Sequence, residues 1–385
     1  MWRGRPAWAE IDLDAIEHNV RQIRLLIGQH VELLAVVKAN AYGHGAGPVA
    51  KAALEAGANR LGVAIVDEGV QLRRAGIKHP ILVLGYIPPW QANEVVGQDL
   101  MATVNTWQTA LALSARASAL GRETTVHVKV DTGLGRFGLL PHEVLKFVRG
   151  LLTLPSLRLE GFWTHFATAD EKDKEYTRRQ LAMYHEALKS LSDAGISIPC
   201  RHVANSAATL EMPESHLDMV RCGIALYGLY PSVEVGHAVA LQPAMSLKAR
   251  LARVRELPAG SSVSYGRKFV ADRPTLVGLV PFGYADGFDR GLSSVGSVIV
   301  RGRRAPVIGR VCMDQFVVNL QDVSGAAQDD EVVIIGRQGD EEITADEVAL
   351  AAATINYEIV CGIGARVPRV YIKDGAVVGV TGLLD

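Results

Sequence analysis

Lys38 stands where an apolar run ends. In LLAVVKANAYGHGAG, residues 33–47, the four residues before it are apolar, and the stretch after it is rich in Gly and Ala with one tyrosine, Tyr42. Such a run reads as a strand buried on both faces. A lysine at its end is poorly hydrated, and desolvation disfavours the charged amine. A neutral amine there can act as a base, or as a nucleophile that holds an aldehyde cofactor as a Schiff base. On this stretch alone, a lysine snorkelling to solvent remains the alternative.

Other polar groups recur where apolar runs stop. Lys129 leads into Asp131 and Arg136; Thr164 and His165 end another run; Asn205 and Ser206 follow the next, and Arg221 the last. Taken singly each has a structural explanation, a half-buried histidine or an arginine paired with a carboxylate. Their shared position at strand ends is the signal. Asn205-Ser206 opens a helical stretch, and Arg221-Cys222-Gly223-Ile224 brings backbone N–H groups and a close-approach glycine, so both suit a phosphate. Tyr42 and Tyr357 offer phenol donors. With the amine of Lys38, the ligand is an anion that also bears a carbonyl.

The elements that must position these groups alternate. Short apolar strands are expected at 33–37, 61–66, 81–85, 101–104, 125–130, 159–163, 201–203 and 218–220, with helical stretches at 48–56, 67–75, 106–120, 141–152, 174–194 and 206–211, several closed by Gly57, Gly76, Gly121 and Gly195. About eight such units in roughly 200 residues is what a (β/α)8 barrel needs; a doubly wound open sheet is the competing architecture. A first helix starts at Asp12 or Asp14, with Ile16, Val20, Ile23 and Leu26 facing inward. Beyond Pro231 the segments 247–254, 274–281, 297–300, 307–309, 316–320, 331–335 and 367–372 are short, β-branched and separated by Gly, Pro and Asp, which predicts a mostly antiparallel β domain interrupted by one helix at 344–352. The boundary falls within 236–243, dividing the chain into a barrel, 1–240, and a mostly β C-terminal domain, 241–385. In a barrel the reacting groups belong at the C-terminal strand ends, where the polar residues above are found.

Composition narrows the partners. The 385 residues are 49% hydrophobic, and 40 Lys and Arg against 41 Asp and Glu give a formal charge of -1, so nothing argues for nucleic acid or an anionic membrane. No apolar run is long enough to span a bilayer, and the N-terminus meets acidic residues before any signal-peptide core forms. Cys200, Cys222, Cys312 and Cys361 are scattered, which argues against structural zinc and a disulfide scaffold and for a reducing, cytoplasmic home. Gly133-Leu-Gly135-Arg-Phe-Gly138 matches the dinucleotide fingerprint G-x-G-x-x-G, but it lies in the fifth unit, follows a strand carrying Lys129 and Asp131, and has only Glu160 in range as the ribose-binding acid. The match is weak.

AVVKANAYGHG, VKVDTGLGRFG, HFATAD, ANSAATL, RCGIALYG, VSYG, GYADGF, GRVCMDQ and NYEIVCGIGARVPR occur in the order in which one family has them. Over nearly its full length the chain resembles the alanine racemases, enzymes built from a barrel and a β domain and dependent on pyridoxal 5'-phosphate. The resemblance implies a two-base reaction between L-alanine and D-alanine, supplying D-alanine for peptidoglycan. The cofactor is bonded to Lys38, which serves one face of the substrate carbon, and Tyr265 serves the other. His165 and Arg221 favour the phenolate of Tyr265, a poor base in water with a reference pKa of about 10. Arg221 also faces the pyridine nitrogen and leaves it unprotonated, a weaker electron sink that restrains side reactions. Arg136 contacts the cofactor's phenolic oxygen and the substrate carboxylate, which the backbone N–H of Met313 also meets; Lys129 is carbamylated in many members and can then hold Arg136. Phosphate contacts carry over to Tyr42, Ser206, Gly223, Ile224 and Tyr357, beside Asn205. Cys312, Tyr284 and Asp314 are near the site. The resemblance further implies a head-to-tail homodimer in which the β domain of one subunit completes the barrel mouth of the other.

Three rivals are weighed against this reading. A racemase for serine or a broader set of amino acids is disfavoured by Tyr357, which restricts side-chain room. A decarboxylase of the same barrel class needs no second base, and a non-catalytic cofactor carrier resembles the barrel alone.

Overall fold

The computed structural model describes residues 4–237 and 239–383. Residues 1–3 of the N-terminal stretch and Ala238 of the expected boundary lie outside the described residues. The chain forms two compact units. One is Ala15–Ala41 with Ala46–Gln242; the other is Met1–Asp14, Tyr42–Gly45 and Pro243–Asp385.

The first strand of the chain, β1 (Ala7–Asp12), belongs to the second unit. The first unit is a barrel of eight parallel strands: β2 (Glu32–Val36), β3 (Arg60–Val63), β4 (Ile81–Val83), β5 (Met101–Val104), β6 (Thr124–Lys129), β7 (Leu157–Trp163), β8 (Cys200–His202) and β9 (Met219–Cys222). Each pairs with the next in sequence as far as β8, and β9 returns beside β2. The strands are mostly apolar because helices cover the outside while side chains fill the inside, although β6, β7 and β8 also carry His127, Glu160 and His202. At the β8–β9 seam no ladder forms. There the Asp218 N–H donates to the Arg201 carbonyl at 3.1 Å, the Arg221 N–H to the Ala204 carbonyl at 3.1 Å, and the Asp218 carboxylate accepts from the Arg201 backbone at 2.7 Å and guanidinium at 2.6 Å.

The helices follow their sequence patterns closely. The first spans Leu13–Ile27 and buries Ile16, Val20 and Ile23. Leu26, expected on the same face, is 36% exposed, and Ile27 takes its place at 7%. The reason is angular: eleven residues after Ile16 make three helical turns, which brings Ile27 within about 20° of it, whereas Leu26 lies about 80° away. Thr106 caps Trp107–Ala119 and Asn205 caps Ser206–Glu211 through their side-chain oxygens. No helix among the described residues is long and apolar enough to cross a membrane.

The second unit is a mostly β fold. Its strands are β10 (Met245–Arg250), β11 (Arg253–Leu257), β12 (Ser262–Val263), β13 (Phe269–Val270), β14 (Thr275–Val280), β15 (Ser297–Val300), β16 (Arg303–Ile308), β17 (Phe316–Asn319), β18 (Glu331–Gln338), β19 (Glu341–Ile343), β20 (Arg369–Lys373) and β21 (Ala376–Thr381). Within the main sheet β1 lies between β10, antiparallel to it, and β20, parallel to it. The stretch 247–254, read as one strand, is two. The Leu251 N–H donates to Asp330 at 3.0 Å and the Ala252 N–H to Leu279 at 2.8 Å, so the chain turns a corner from the side of β18 to that of β14. Helix Ala345–Ala351 lies where expected, capped by Thr344, and the six-residue helix Asn356–Cys361, too short to show a period, follows it. The loop Tyr42–Gly45 belongs here because it lies against β20 and its approach. Arg369 Nε donates to the Gly43 carbonyl at 2.9 Å, and a Cβ on Gly45 would stand 1.9 Å from the Tyr371 hydroxyl.

Candidate active site

Lys38 follows β2 and begins a left-handed turn. Ala39, Asn40, Ala41 and Tyr42 take φ of 52°, 53°, 53° and 51°, a region that costs an L-residue about 1–2 kcal/mol at each position. Four contacts hold it. The Ala39 N–H donates to Glu68 Oε1 at 2.6 Å, the Ala46 N–H to Asn40 Oδ1 at 2.9 Å, the Ala41 N–H to the Val37 carbonyl at 2.9 Å, and the Tyr227 hydroxyl to the Val36 carbonyl at 2.9 Å. Glu68 and Tyr227 were not singled out from sequence; Glu68 is a first-turn acid of the helix Val66–Arg74, a place where a carboxylate needs no further role.

The end of β6 carries Lys129, which is 2% exposed. Its amine donates to the Phe137 carbonyl and lies 5.2 Å from the centre of the Trp163 ring. Burial pushes it down to about 8; Asp131 works against this, while the cations Arg221 and Arg136 add to it. The glycine-rich loop that follows is built around a carboxylate. Asp131 accepts the N–H groups of Gly133 at 2.9 Å, Gly135 at 3.1 Å and Arg136 at 3.1 Å. Gly133 and Gly135 thus serve a carboxylate-centred turn. Partial burial works to raise the Asp131 pKa, but the two glycine N–H groups and Lys129 outweigh it and lower the value. The stability contributed by Asp131 is therefore complete above the unfolded carboxylate range and lost as pH falls through its folded pKa. Asp131→Asn is expected to cost about 1–3 kcal/mol in urea unfolding at neutral pH and to weaken the acid limb of the stability profile.

Arg221, at the end of β9, is buried. Its Nη1 donates to His202 Nδ1 and the His202 carbonyl, both at 3.0 Å; its Nη2 donates to the carbonyls of Thr164 at 2.8 Å and Val203 at 3.1 Å and to His165 Nδ1 at 3.2 Å. These acceptors are carbonyls and imidazoles, none a carboxylate. Burial pushes the guanidinium down to about 9, which leaves it a cation at neutral pH. Since an arginine can only donate, His165 accepts at Nδ1 and carries its proton on Nε2. Burial, then the charge of Arg221, holds His165 well below its usual pKa, so it is neutral.

Beside Arg221, Ser206 opens its helix and accepts from the Gly223 N–H at 2.9 Å and the Ala225 N–H at 3.5 Å. The hydroxyl of Ser206 and the backbone at Gly223 and Ile224 therefore share one corner of the barrel. Asn205, expected among the cofactor-binding residues, uses its side-chain oxygen to cap Ala208 at 3.0 Å.

The remaining expected residues lie in the second unit. Tyr265 is 72% exposed on a turn in which Ser264, Gly266 and Arg267 take φ of 63°, 73° and 49°. The Ser264 hydroxyl donates to the Arg310 carbonyl at 2.6 Å and lies 3.3 Å from Cys312 Sγ. The Tyr284 N–H donates to Cys312 at 3.1 Å and the Ala285 N–H to Met313 at 3.0 Å. These bonds gather Tyr265, Cys312, Met313 and Tyr284. Arg366 clamps the same neighbourhood through Asp286 at 2.6 Å and Asp314 at 2.7 Å. Tyr42 and Tyr357 stand together, their ring centres 6.2 Å apart.

Two family models cover this architecture: the alanine racemase N-terminal domain matches residues 11–231 and the alanine racemase C-terminal domain matches residues 244–371. The chain belongs to the alanine racemase family. An alanine racemase of Desulforamulus reducens is 50% identical over 369 residues, 95% of this chain and 99% of that one, and one of Symbiobacterium thermophilum is 51% identical over 95% and 97%. Among solved structures, the alanine racemase of Bacillus anthracis with bound L-Ala-P superposes with a TM-score of 0.95 at 43% identity, covering 100% of this chain and 99% of that one. The alanine racemase of Clostridium difficile in complex with cycloserine gives 0.93 at 38% identity, covering 100% of both. Alanine racemases depend on pyridoxal 5'-phosphate, and the donor set here suits that group. Lys38 offers the amine, Ser206 and the backbone of Gly223 and Ile224 offer phosphate contacts at a helix start, and Arg221 offers a cation with no carboxylate among its contacts.

Proposed function

We infer that this chain racemises alanine with pyridoxal 5'-phosphate held on Lys38, and that each of its sites is completed by a second subunit. The observation that carries the reading is the setting of Arg221: an arginine fixed by carbonyls and imidazoles presents a cation that does not release its proton to a ring nitrogen. The cofactor, when bound, supplies the electron withdrawal that makes the Cα proton of alanine acidic.

The residues divide the remaining work. Lys38 holds or delivers the proton on one face of Cα and Tyr265 on the other. His165, its Nδ1 engaged by Arg221, presents an Nε2–H donor that favours the tyrosine's phenolate. Arg136 and the Met313 N–H orient the substrate carboxylate. Tyr42, Ser206, Gly223, Ile224 and Tyr357 hold the phosphate, with Asn205 keeping the helix start in shape. Lys129 carries a carbamate. A pKa near 8 keeps part of the amine neutral, its lone pair adds to the carbon of dissolved CO2, the displaced proton goes to water, and the resulting anion braces Arg136.

In each subunit of a head-to-tail homodimer the working halves are residues 1–240, less β1 and the loop Tyr42–Gly45, and residues 241–385, with Tyr265 and Met313 acting in the partner's barrel. The exposure of Tyr265 supports this arrangement. The reaction takes place in the cytoplasm, without nucleic acid or membrane, and supplies D-alanine for peptidoglycan. A Lys38→Ala chain and a Tyr265→Ala chain, each inactive alone, are expected to recover activity when refolded together. Half the dimers are mixed and each has one intact site, so the plateau is roughly a quarter of wild type. No recovery from a mixture shown to contain mixed dimers would sink the shared-site reading.

A further inference from the structure

A chain of polar side chains runs through the barrel interior behind Arg221. His202 Nε2 lies 2.9 Å from His127 Nδ1, and His127 Nε2 lies 2.9 Å from Glu160 Oε2. The same Glu160 oxygen accepts from Arg60 Nη1 at 2.7 Å, and Arg60 reaches Glu32 at 2.5 Å. The fold makes room for this chain. A Cβ on Gly161 would stand 1.9 Å from His127 Nδ1, so the glycine beside Glu160 in β7 is what admits the imidazole. Trp163 stacks on His202 with ring centres 5.6 Å apart and 11° between planes.

The two ends of the chain fix its direction. Arg221 can only donate, so His202 accepts at Nδ1 and carries its proton on Nε2; that proton is given to His127 Nδ1, whose own proton on Nε2 is given to a carboxylate that can only accept. Both rings are buried, and burial holds both below the usual histidine pKa, so they bridge an anion and a cation as neutral groups. We propose that Glu160 is a positioning residue for Arg221, acting through the ordered imidazoles of His127 and His202. An imidazole whose N–H is bonded to an anion is a stronger acceptor at its other nitrogen. Without Glu160, His127 is free to take the Nδ1–H form, which sets donor against donor at His202 Nε2; His202 relieves that clash only by moving its proton to Nδ1, against Arg221, or by shifting the ring that holds Arg221. The inference rests on the reading that places Arg221 at the cofactor ring.

The test uses holoenzyme labelled with 15N-histidine, together with Glu160→Met, Glu160→Gln and Arg60→Met variants. Long-range 1H–15N spectra of the parent are expected to show His127 and His202 as neutral Nε2–H tautomers; an Nδ1–H tautomer at either overturns the proposal even if no variant folds. Glu160→Met removes the acceptor and is expected to scramble the tautomers, to lower kcat by about 10-fold or more with KM for alanine changed less than about 2-fold, and to shift the cofactor's absorbance. Glu160→Gln keeps an acceptor without charge and falls between Met and the parent. Arg60→Met leaves the tautomers and kcat in place. A folded Glu160→Met with parental kcat and absorbance overturns the proposal, as does an Arg60→Met loss of kcat equal to that of Glu160→Met. Arg221→Lys separates the two readings: absorbance that ignores it removes Arg221 from the ring, whereas absorbance that follows Arg221→Lys but not Glu160→Met removes only the relay.

Discussion

With Tyr265→Phe, the protein will exchange the Cα proton of one enantiomer of alanine with deuterated solvent while inverting neither at more than a trace of the parental rate. The Schiff-base lysine and the tyrosine have separate faces in the proposed reaction, so removing one hydroxyl stops inversion but leaves proton exchange on the Lys38 face. The loss of racemisation is expected to be about 10²–10⁴-fold, the range that a positioned proton-transfer group contributes. Chiral chromatography with mass detection of deuterium reads both quantities at once. The turn that presents Tyr265 is set by backbone, through Ser264 and the carbonyl of Arg310, so the phenylalanine variant should hold its fold. Equal exchange into both enantiomers would mean that a single base reaches both faces and that Tyr265 is not the second one.

Lys38→Ala has the larger expected effect. In the proposed reaction it removes the covalent anchor of the cofactor and one of the two bases, and kcat should fall by about 10⁴-fold or more. The variant should purify without the yellow of a bound, borohydride-trappable cofactor, since the contacts of Ser206, Gly223 and Ile224 alone hold a phosphate reversibly. An exogenous primary amine should restore part of the exchange on that face only. A Lys38→Ala protein that retained parental turnover would dismiss the lysine from the chemistry altogether.

The legibility of these residues from sequence varied for physical reasons. The place of Lys38 beyond a strand end could be read because an apolar run ends abruptly at a charge, and that of Ser206 at a helix start because a polar pair follows a strand. Strands such as β2 and β4 could be read because burial leaves short runs of Ile, Leu, Val and Ala; β5 falls at 101–104, as expected. The relay through His127, His202 and Glu160 left only isolated polar residues in apolar strands, and nothing in a linear pattern says that three of them meet. Its nearest signal was Gly161, a glycine inside a strand, which marks a close approach. The strand β1 was missed because its pairing partners lie more than two hundred residues away, at β10 and β20. The Leu251–Ala252 corner was missed because an apolar run keeps its pattern while its hydrogen-bonding partners change.

The turn that follows Lys38 has a stereochemical consequence. Four successive residues there hold the backbone shape that an amino acid of the opposite hand prefers, and two of them, Ala39 and Ala41, are alanines. A semisynthetic chain with D-alanine at either position should be more stable than the natural one, by up to about 1–2 kcal/mol at each site. In the proposed reaction, an enzyme that turns L-alanine into D-alanine holds two of its own L-alanines in the conformation its product would choose.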